Sequence, residues 1–332
     1  MILSILDQSP ISEGSTGADA LRNTLDLARL GDQLGYARYW VAEHHGTPML
    51  ACASPEVMIA AIGSRTTRIR VGSGGVMLPH YSPLKVAETF SILSALFPDR
   101  VDLGIGRAPG TDHATAFALQ RDRRQPAPDD FPQQLGELLG YLEDRMPQGH
   151  PFARLSALPG RPHHPDVWLL GSSPQSALWA ADSGLPYCFA DFINPDGASY
   201  AAMYRDRFCA SETLAEPRVM VAGWAICAET NEEAQRIASS ARMTRTLLNE
   251  GRLIPVPPID KALRFLAERG PNPDTVARPR RAIIGDPAAV KQGIQELAAL
   301  YGAEEVMIVT ITFDHAARRR SYELIAEAFG LR

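Results

Sequence analysis

Residues 167–190, VWLLGSSPQSALWAADSGLPYCFA, contain two short apolar runs on either side of one helical segment. The runs Val167–Leu170 and Tyr187–Ala190 have the length and the apolar composition of buried strands. Between them, Ser173 has the residue type of a helix N-cap and Pro174 suits the first helical position. The stretch therefore predicts a strand–helix–strand unit, the building block of a parallel sheet.

The same alternation of short apolar runs and helical segments continues along the chain. The predicted strands are Ile2–Leu6, Arg38–Ala42, Ile69–Gly72, Val101–Ile105, Val167–Leu170, Tyr187–Ala190, Val219–Ile226 and Glu305–Thr310. The predicted helices are Asp19–Leu34, Pro55–Ser64, Leu84–Leu96, Pro174–Ser183, Asn231–Thr246, Pro287–Tyr301 and Ala316–Phe329. A doubly wound open sheet gives the same alternation, but a closed barrel needs eight strands. We therefore predict an α/β fold, a (β/α)8 TIM barrel, with residues 1–332 as one domain.

Two long segments interrupt this rhythm, one after the fourth strand and one near the seventh. Residues Ala108–Asp130 are rich in Pro, Asp and Arg, and Glu250–Arg280 contains six prolines. Loops this long in a compact domain are usually lids or binding loops, and a disordered surface insertion is the alternative. We expect both segments to be insertions without a helix.

Composition and charge exclude several classes of protein. Hydrophobic residues at 45% suit a large core, and a net charge of −5 without a basic block longer than Arg318–Arg320 argues against nucleic acid as a partner. The N-terminus is apolar for only six residues before Asp7, which predicts neither a signal peptide nor a membrane span. The four cysteines form no CxxC pair, so we expect buried free thiols and a cytoplasmic location.

Glu43, His44 and His45 follow the second predicted strand. Active sites of parallel barrels gather at the C-terminal ends of the strands, so this position favours a catalytic role. Adjacent side chains on an extended backbone point to opposite faces, and only one histidine should face a ligand. The alternative is two structural histidines. No HExxH or paired carboxylate pattern accompanies them, so we predict no metal site.

Two glycine-rich stretches end the third and fourth strands. Ser73-Gly74-Gly75 fits a close approach of the backbone to a ligand, or an ordinary turn. Gly104-Ile105-Gly106-Arg107 is not a dinucleotide fingerprint, because the spacing to Gly110 is GxGxxxG and no crossover helix is evident after it.

Ser173-Pro174-Gln175-Ser176 combines an N-cap, a proline at the first helical position and a further hydroxyl. Free backbone N–H groups, the helix dipole and hydroxyl groups converge at such a point. The stretch therefore predicts an anion site, whereas Gly285-Asp286-Pro287 offers a weaker counterpart.

Four strand-end motifs, taken together, resemble those of the bacterial luciferase-like flavin-dependent monooxygenases. They are AEHHG at residues 42–46, VGSGGVMLP at 71–79, DLGIGRAPG at 102–110 and LLGSSPQSALWAADSGLP at 169–186. Their order and spacing match the family from roughly Ile2 to Phe329. The chain looks most like the single-component or uncharacterised bacterial members of the family.

The resemblance implies a cofactor, a reaction and roles for particular residues. A non-proline cis peptide is expected at Ser73-Gly74-Gly75, with the flavin ring over Gly74 and Gly75. The phosphate of reduced FMN would be bound by a further group of residues, namely Arg107, Ser172, Ser173 and Ser176. The expected reaction uses O2 to oxidise a small organic substrate through a flavin hydroperoxide, with His44 stabilising the peroxide or moving a proton at a pKa near neutrality.

Two rival functions and two electron sources fit the same motifs. The resemblance extends to deazaflavin-dependent hydride-transfer oxidoreductases, and a non-catalytic flavin-binding protein is a further alternative. Electrons would come from a separate flavin reductase or from NAD(P)H bound directly. We also expect a homodimer, with no membrane partner.

Overall fold

The strands of the protein form one parallel sheet. The structure is a computed structural model that describes residues 1–107, 112–120, 122–125, 129–155, 158–270 and 282–331. In chain order, the strands of these ranges are β1 (Ile2–Asp7), β2 (Arg38–Val41), β3 (Arg70–Met77), β4 (Val101–Gly106), β5 (Asp166–Gly171), β6 (Tyr187–Ala190), β7 (Val219–Cys227), β8 (Ala282–Gly285) and β9 (Glu305–Val309). The helices span Gly17–Leu34, Pro55–Gly63, Pro83–Leu96, His113–Leu119, Phe131–Glu143, Pro174–Asp182, Ala198–Arg207, Asn231–Asn249, Ile259–Arg269, Pro287–Tyr301 and His315–Phe329.

Eight of the strands close into a barrel. Consecutive strands pair in parallel from β1 to β7, and β9 pairs with both β7 and β1, which completes the ring. The short strand β8 adds to the C-terminal half of β7 beside β9. The predicted (β/α)8 TIM barrel is therefore confirmed, and the eight predicted strands are the strands that form it.

The two long insertions differ from the sequence-based expectation. The helix His113–Leu119 lies inside the first, and Ile259–Arg269 lies inside the second. The prediction that they contain no helix was wrong. Asp112 caps the first helix through its side chain, and Ala262 of the second packs on Met243 of Asn231–Asn249. Residues 108–111, 121, 126–128 and 271–280 of these insertions lie outside the described residues.

The fourth strand is also followed by a crossover helix that was not predicted. Phe131–Glu143 packs against the helix Pro83–Leu96 and buries Leu135 and Leu138. The expectation that no crossover helix follows Gly104-Ile105-Gly106-Arg107 was thus wrong. The rejection of a dinucleotide fingerprint rests instead on the GxGxxxG spacing.

Large side chains fill the inside of the barrel, and glycines on β3 make room for them. Trp40 and Trp168 meet edge to face there, with ring centroids 5.7 Å apart. A Cβ at Gly72 would lie 2.8 Å from Trp40, and one at Gly74 would lie 2.5 Å from the Leu6 side chain. A Cβ at Gly72 would also lie 2.7 Å from the backbone carbonyl oxygen of Asp102, so Gly72 requires glycine, whereas at Gly74 the Leu6 side chain would have to move.

Buried charges close the N-terminal end of the barrel. Arg38 donates to Asp102 at 2.7 Å and to Glu305 at 3.0 Å. Asp102 also accepts from Arg70 at 2.7 Å and from the indole of Trp40 at 2.8 Å. Burial alone would lower the pKa of Arg38, but the two carboxylates hold it above its usual value. This network lies at the opposite end from the predicted site and leaves its charges paired.

Three sequence-based expectations concern cysteines, metals and membranes. Cys52, Cys188 and Cys227 are buried free thiols, but Cys209 is exposed, so the expectation of burial was wrong for that residue. Within the described ranges, no group of three or more potential ligands could hold a metal ion. No helix in those ranges has the length and apolar character needed to span a membrane.

Candidate active site

His44 and His45 leave the C-terminal end of β2 in different environments. The backbone N–H of His44 donates to the carbonyl of Cys52 at 2.9 Å, and the side chain lines a cavity. Its Nδ1 is buried and has no hydrogen-bond partner among the described residues. His45 instead bonds through Nε2 to the carboxylate of Glu43 at 2.7 Å. His45 thus makes hydrogen bonds and His44 lines a cavity, while the expectation that His44 faces a ligand stays a prediction.

Glu43 ties the ends of β2 and β3 together. Its carboxylate is 1% exposed and accepts from the backbone N–H of Met77 at 3.1 Å. It also accepts from the hydroxyl of Tyr81 at 3.0 Å and bonds to His45. Hydrogen bonds to a charged acceptor are stronger than neutral ones. Glu43 therefore fixes the histidine segment against the strand that carries Gly74 and Gly75.

The electrostatic setting of His44 keeps the imidazole neutral. Burial, with a smaller contribution from the neighbouring His45, lowers the pKa of His44 to about 4. The expectation of a pKa near neutrality was therefore wrong for this structure. At pH 7 the ring carries one N–H and one lone pair, so it can donate one hydrogen bond and accept another.

The cavity beside His44 has a volume of about 410 Å³ and opens between the ends of β1 and β2. Its lining consists of Ile11, Gly17, Leu21, His44, Gly46, Thr47, Leu50, Ala51 and Ala53. None of these residues carries a fixed charge. Gly46 has a φ of +61°, and a Cβ there would meet Thr115, so the helix His113–Leu119 packs directly against the cavity rim.

Gly106 ends β4, but Gly74 and Gly75 lie inside β3, which continues to Met77, so the expectation that these glycines end the third strand was wrong. The peptide between Gly74 and Gly75 is cis, as the resemblance implies, and the β3–β4 register shifts between Gly74 and Val76. A Cβ at Gly75 would lie 2.8 Å from the carbonyl oxygen of Gly104. A side chain at Gly75 would thus strike β4, so Gly75 is needed for close packing of the two strands.

Arg107 leaves the end of β4 and reaches the helix that begins after β5. Its guanidinium lies over the ring of Trp179, 5.6 Å from the centroid, and forms an ion pair with Asp129 at 2.9 Å. The side chain is 49% exposed. Because Trp179 belongs to the helix Pro174–Asp182, the cation and the start of that helix lie on the same side of the mouth.

The helix Pro174–Asp182 begins with a capping box made of two serines. The Ser173 hydroxyl accepts from the backbone N–H of Ser176 at 3.3 Å. The Ser176 hydroxyl donates to the carbonyl of Ser173 at 2.8 Å and lies 2.9 Å from the Tyr187 hydroxyl. Ser173 is exposed, whereas Ser176 is buried. Ser173 can thus contact a ligand directly, and Ser176 would have to leave one of its present bonds.

Ser172 lies beside this helix start, and its carbonyl accepts from the Asn194 side chain at 2.9 Å. The other predicted anion site, at the start of the helix Pro287–Tyr301, carries a carboxylate where the first carries a neutral serine. Asp286 caps the helix Pro287–Tyr301 by accepting from the backbone N–H of Ala289 at 2.9 Å. A carboxylate at a helix N-terminus already satisfies the positive end of the dipole and repels an anion. The start at Ser173 is therefore the better anion site.

Several contacts of the site lay beyond sequence reasoning. Trp179 under Arg107 and Tyr187 against Ser176 are long-range contacts for which the sequence has no local signal. The hydrogen bond from Tyr81, in the turn after β3, to Glu43 is a further contact without a local sequence signal. The apolar residues on both sides of His44, such as Leu50 and Ala51, could have indicated a lined cavity.

The comparisons with known proteins assign the family. A family model described as Luciferase-like monooxygenase matches residues 1–304. The chain belongs to this family. The chain is 45% identical to the uncharacterized protein YwcH of Bacillus subtilis (strain 168), with 98% of both chains covered. It is 36% identical to N-acetyl-S-alkylcysteine monooxygenase of the same strain, over 98% of this chain and 97% of the relative.

Solved structures give the same result for the fold. The crystal structure of apo-MsnO8 matches with a TM-score of 0.90 and 42% identity, covering 100% of this chain and 99% of that one. A type II Baeyer–Villiger monooxygenase in complex with FMN shares the fold at a TM-score of 0.74 and 19% identity, over 98% of this chain and 97% of that one. An F420-dependent secondary alcohol dehydrogenase shares it at 0.68 and 14%, over 98% of both chains. The family assignment makes the protein an oxidoreductase, and the last two structures show that its fold is shared with proteins that bind FMN or F420.

Proposed function

We propose that the protein is a monooxygenase that uses reduced FMN and O2 to oxidise a small organic substrate. The observation that carries this proposal is the order of three features around the mouth. His44 and the uncharged cavity follow β1 and β2, glycine backbone lies in the second half of β3 and at the end of β4, and Arg107 approaches the helix after β5. Because β3, β4 and β5 follow β2 in order around the barrel, a flavin that lies over β3 to β5 would turn one edge toward His44 at the end of β2.

The residues on the β4–β5 side fit a phosphate. Arg107 is a half-exposed cation, and Ser173 caps the adjacent helix with a neutral hydroxyl, so nothing in that cap repels an anion. A guanidinium can bind two phosphate oxygens at once. We assign the phosphate to Arg107, Ser172 and Ser173, with Ser176 supporting the helix start, and the ring to Gly74 and Gly75.

Reduced FMN would supply the two electrons with which O2 is activated for insertion of one oxygen atom into the substrate. The other oxygen atom leaves as water, which requires two protons. His44 is the residue placed to pass a proton, because its neutral ring is partly buried beside the cavity and Nδ1 lacks a partner. The apolar lining and the helix His113–Leu119 would keep bulk water away from the reacting atoms.

The source of electrons and the assembly complete the proposal. We propose that a separate flavin reductase delivers the reduced flavin. We also propose that the enzyme acts as a homodimer in the cytoplasm.

Turnover with reduced FMN tests the proposed function. The wild-type enzyme, given reduced FMN, O2 and a panel of organic compounds that includes an N-acetyl-S-alkylcysteine, should add one oxygen atom to a member of the panel, as read by mass spectrometry. His44→Ala should lower this oxygenation by about 10²–10⁴-fold while changing the affinity for reduced FMN only a few-fold.

Parallel titrations with FMN and with F420 distinguish the proposed monooxygenase from a deazaflavin-dependent enzyme. Preferential binding of F420, with hydride transfer in the absence of O2, would contradict the proposal and favour a deazaflavin enzyme. Tight FMN binding without oxygen transfer to any compound would favour a flavin-binding protein without catalysis.

A further inference from the structure

Asp7, the last residue of β1, is a buried charge at the C-terminal end of the barrel wall. It is fully buried and accepts hydrogen bonds from the guanidinium of Arg318 at 2.7 Å, the hydroxyl of Tyr39 and the backbone N–H of Ser9 at 2.6 Å. Burial alone would raise the pKa of Asp7, but Arg318 and the hydrogen bonds hold it below its usual value. Asp7 is therefore an ionised acceptor at neutral pH that ties β1 to β2 and to the helix His315–Phe329.

Ser9 turns the chain directly after β1 in a backbone conformation that residues with a side chain rarely adopt. Its φ of +51° lies in the left-handed region, where the Cβ comes too close to the following carbonyl oxygen. Two hydrogen bonds hold the turn: the N–H of Ser9 donates to Asp7, and its hydroxyl lies 2.8 Å from that of Thr24. Without the carboxylate of Asp7, the turn would lose an acceptor that offsets this strain.

The turn at Ser9 leads into a segment that pairs with the histidine loop, residues 44–52. The backbone N–H of Ala51 donates to the carbonyl of Ser9 at 2.9 Å, and the N–H of Ile11 donates to the carbonyl of Met49 at 2.8 Å. These two bonds fix the register of the two segments, as in an antiparallel ladder. The turn at Ser9 therefore sets the position of this part of the loop.

The end of the histidine loop closes onto its start. The carbonyl of Cys52 accepts from the backbone N–H of His44 at 2.9 Å, one residue beyond the paired segment. Glu43, just before the loop, is bonded to the backbone of β3. A chain of contacts thus runs from Asp7 through Ser9 and the paired segment to the backbone of His44.

We infer that Asp7 is a positioning residue for His44, acting through the turn at Ser9 and the backbone pairing of the histidine loop. Because Asp7 is fully buried, it influences the mouth only through its partners. The inference rests on the proposed function where it concerns proton transfer by His44. The position of His44 can be followed without a reaction, because moving the ring into solvent would change the pKa of its imidazole.

A double substitution removes the acceptor of Ser9 without leaving a buried charge unpaired. In Asp7→Val/Arg318→Met, apolar side chains of similar total size replace the ion pair, a change that folded proteins often tolerate. We expect the pKa of His44, followed by NMR on histidine-labelled protein, to rise by at least about one pH unit from its value of about 4. Oxygenation should fall at least about tenfold, while the affinity for reduced FMN should change only a few-fold.

Ser9→Gly, added to the double variant, separates positioning from stability. Glycine adopts a positive φ without strain, so the turn should form without Asp7, and the pKa of His44 should return to within about half a pH unit of the wild type. A protein that had merely lost stability would not be restored, because glycine adds no contact. An unchanged pKa of His44 in the double variant, or no recovery with Ser9→Gly, would overturn the inference.

Two single substitutions make the test independent of the buried ion pair. Thr24→Val removes the second bond to Ser9 and should raise the pKa of His44 by a smaller amount. If the double variant does not fold, Thr24→Val decides, and an unchanged pKa there overturns the inference. Asp32 also accepts from backbone N–H groups of a turn, residues 67–69, but before β3, so Asp32→Ala is the matched control and should leave this pKa unchanged. An equal shift in Asp32→Ala would count against positioning by Asp7.

The outcomes separate the inference from the proposed function. If Ser9→Gly restores the pKa of His44 but the wild type oxygenates no compound of the panel, the proposed function fails while the positioning of His44 stands. If the wild type oxygenates a compound and the double variant equals it in rate and in the pKa of His44, the inference fails while the proposed function stands.

Discussion

The two ends of the barrel differ in how completely their buried polar atoms are paired, although each holds a satisfied carboxylate, Asp102 at the N-terminal end and Glu43 at the C-terminal end. At the N-terminal end, Asp102 accepts from Arg38, Arg70 and Trp40, so its carboxylate is satisfied inside the protein. At the C-terminal end, His44 Nδ1 and Trp224 Nε1 are buried without partners among the described residues.

This difference indicates which end is built for stability and which for binding. Most buried polar atoms of a native protein are paired, so an unpaired one calls for an explanation. At the C-terminal mouth we propose that a ligand supplies the missing bonds. Substitutions at the satisfied end should therefore change stability, and those at the unsatisfied end should change binding and pH dependence.

Asp102→Ala should have the largest effect on stability. Removing this carboxylate leaves the buried Arg38 without one of its partners, which should cost about 3–5 kcal/mol in the free energy of unfolding. Urea unfolding measures the loss. Asp129→Ala is the control from the mouth, because its ion pair with Arg107 is exposed and should contribute less than about 1 kcal/mol. Similar losses in the two variants would remove the contrast between the ends.

His44 should make stability depend on pH. Its pKa is about 4 in the folded protein and near 6.5 when unfolded, so below pH 6.5 the unfolded chain binds the proton first. The stability that His44 confers is complete above pH 6.5 and is lost as the pH falls toward 4. Between pH 7 and pH 5 this loss should be about 2 kcal/mol.

The variant His44→Gln cannot titrate and isolates this contribution. Urea unfolding of the wild type and of His44→Gln at both pH values should show that the wild type loses about 2 kcal/mol more than the variant. Parallel losses in the two proteins would mean that His44 is not held neutral in the folded state.

Ser173→Ala should have a smaller effect on stability and an additional effect on binding. Loss of the N-cap should cost about 1 kcal/mol in stability, and the affinity for FMN should fall with it. Thr230→Ala removes a comparable cap from the helix Asn231–Asn249 and should cost similar stability while leaving FMN affinity unchanged. A Ser173→Ala protein that binds FMN like the wild type would restrict Ser173 to capping.

The fold could be predicted from the sequence where its signals are local. The strands that pack on both faces, such as Val219–Cys227, are continuous apolar runs, and Ser173-Pro174 marks a helix start without any tertiary information. The helix Ile259–Arg269 was missed because it lies in a proline-rich segment, and β8 because only two of its residues, Ile283 and Ile284, have a high strand propensity.

The site was harder to predict because its properties depend on distant contacts. The strand-end positions of His44 and Arg107 follow from the motifs. The lowered pKa of His44 depends on burial, and the hydroxyl of Ser176 is engaged by Tyr187 from the next strand. Neither effect leaves a pattern in neighbouring residues, so both had to come from the structure.

The affinity of Arg107→Ala for FMN and for riboflavin tests the central claim most directly. If the mouth binds the FMN phosphate, losing this charged contact should cost about 1.5–3 kcal/mol, so FMN should bind more than about tenfold more weakly. Riboflavin, which lacks the phosphate, should bind as it does to the wild type. Arg145→Ala, which removes a similarly exposed arginine paired with Glu212, is the control and should change neither affinity. An equal loss for riboflavin, or unchanged FMN binding, would contradict the account.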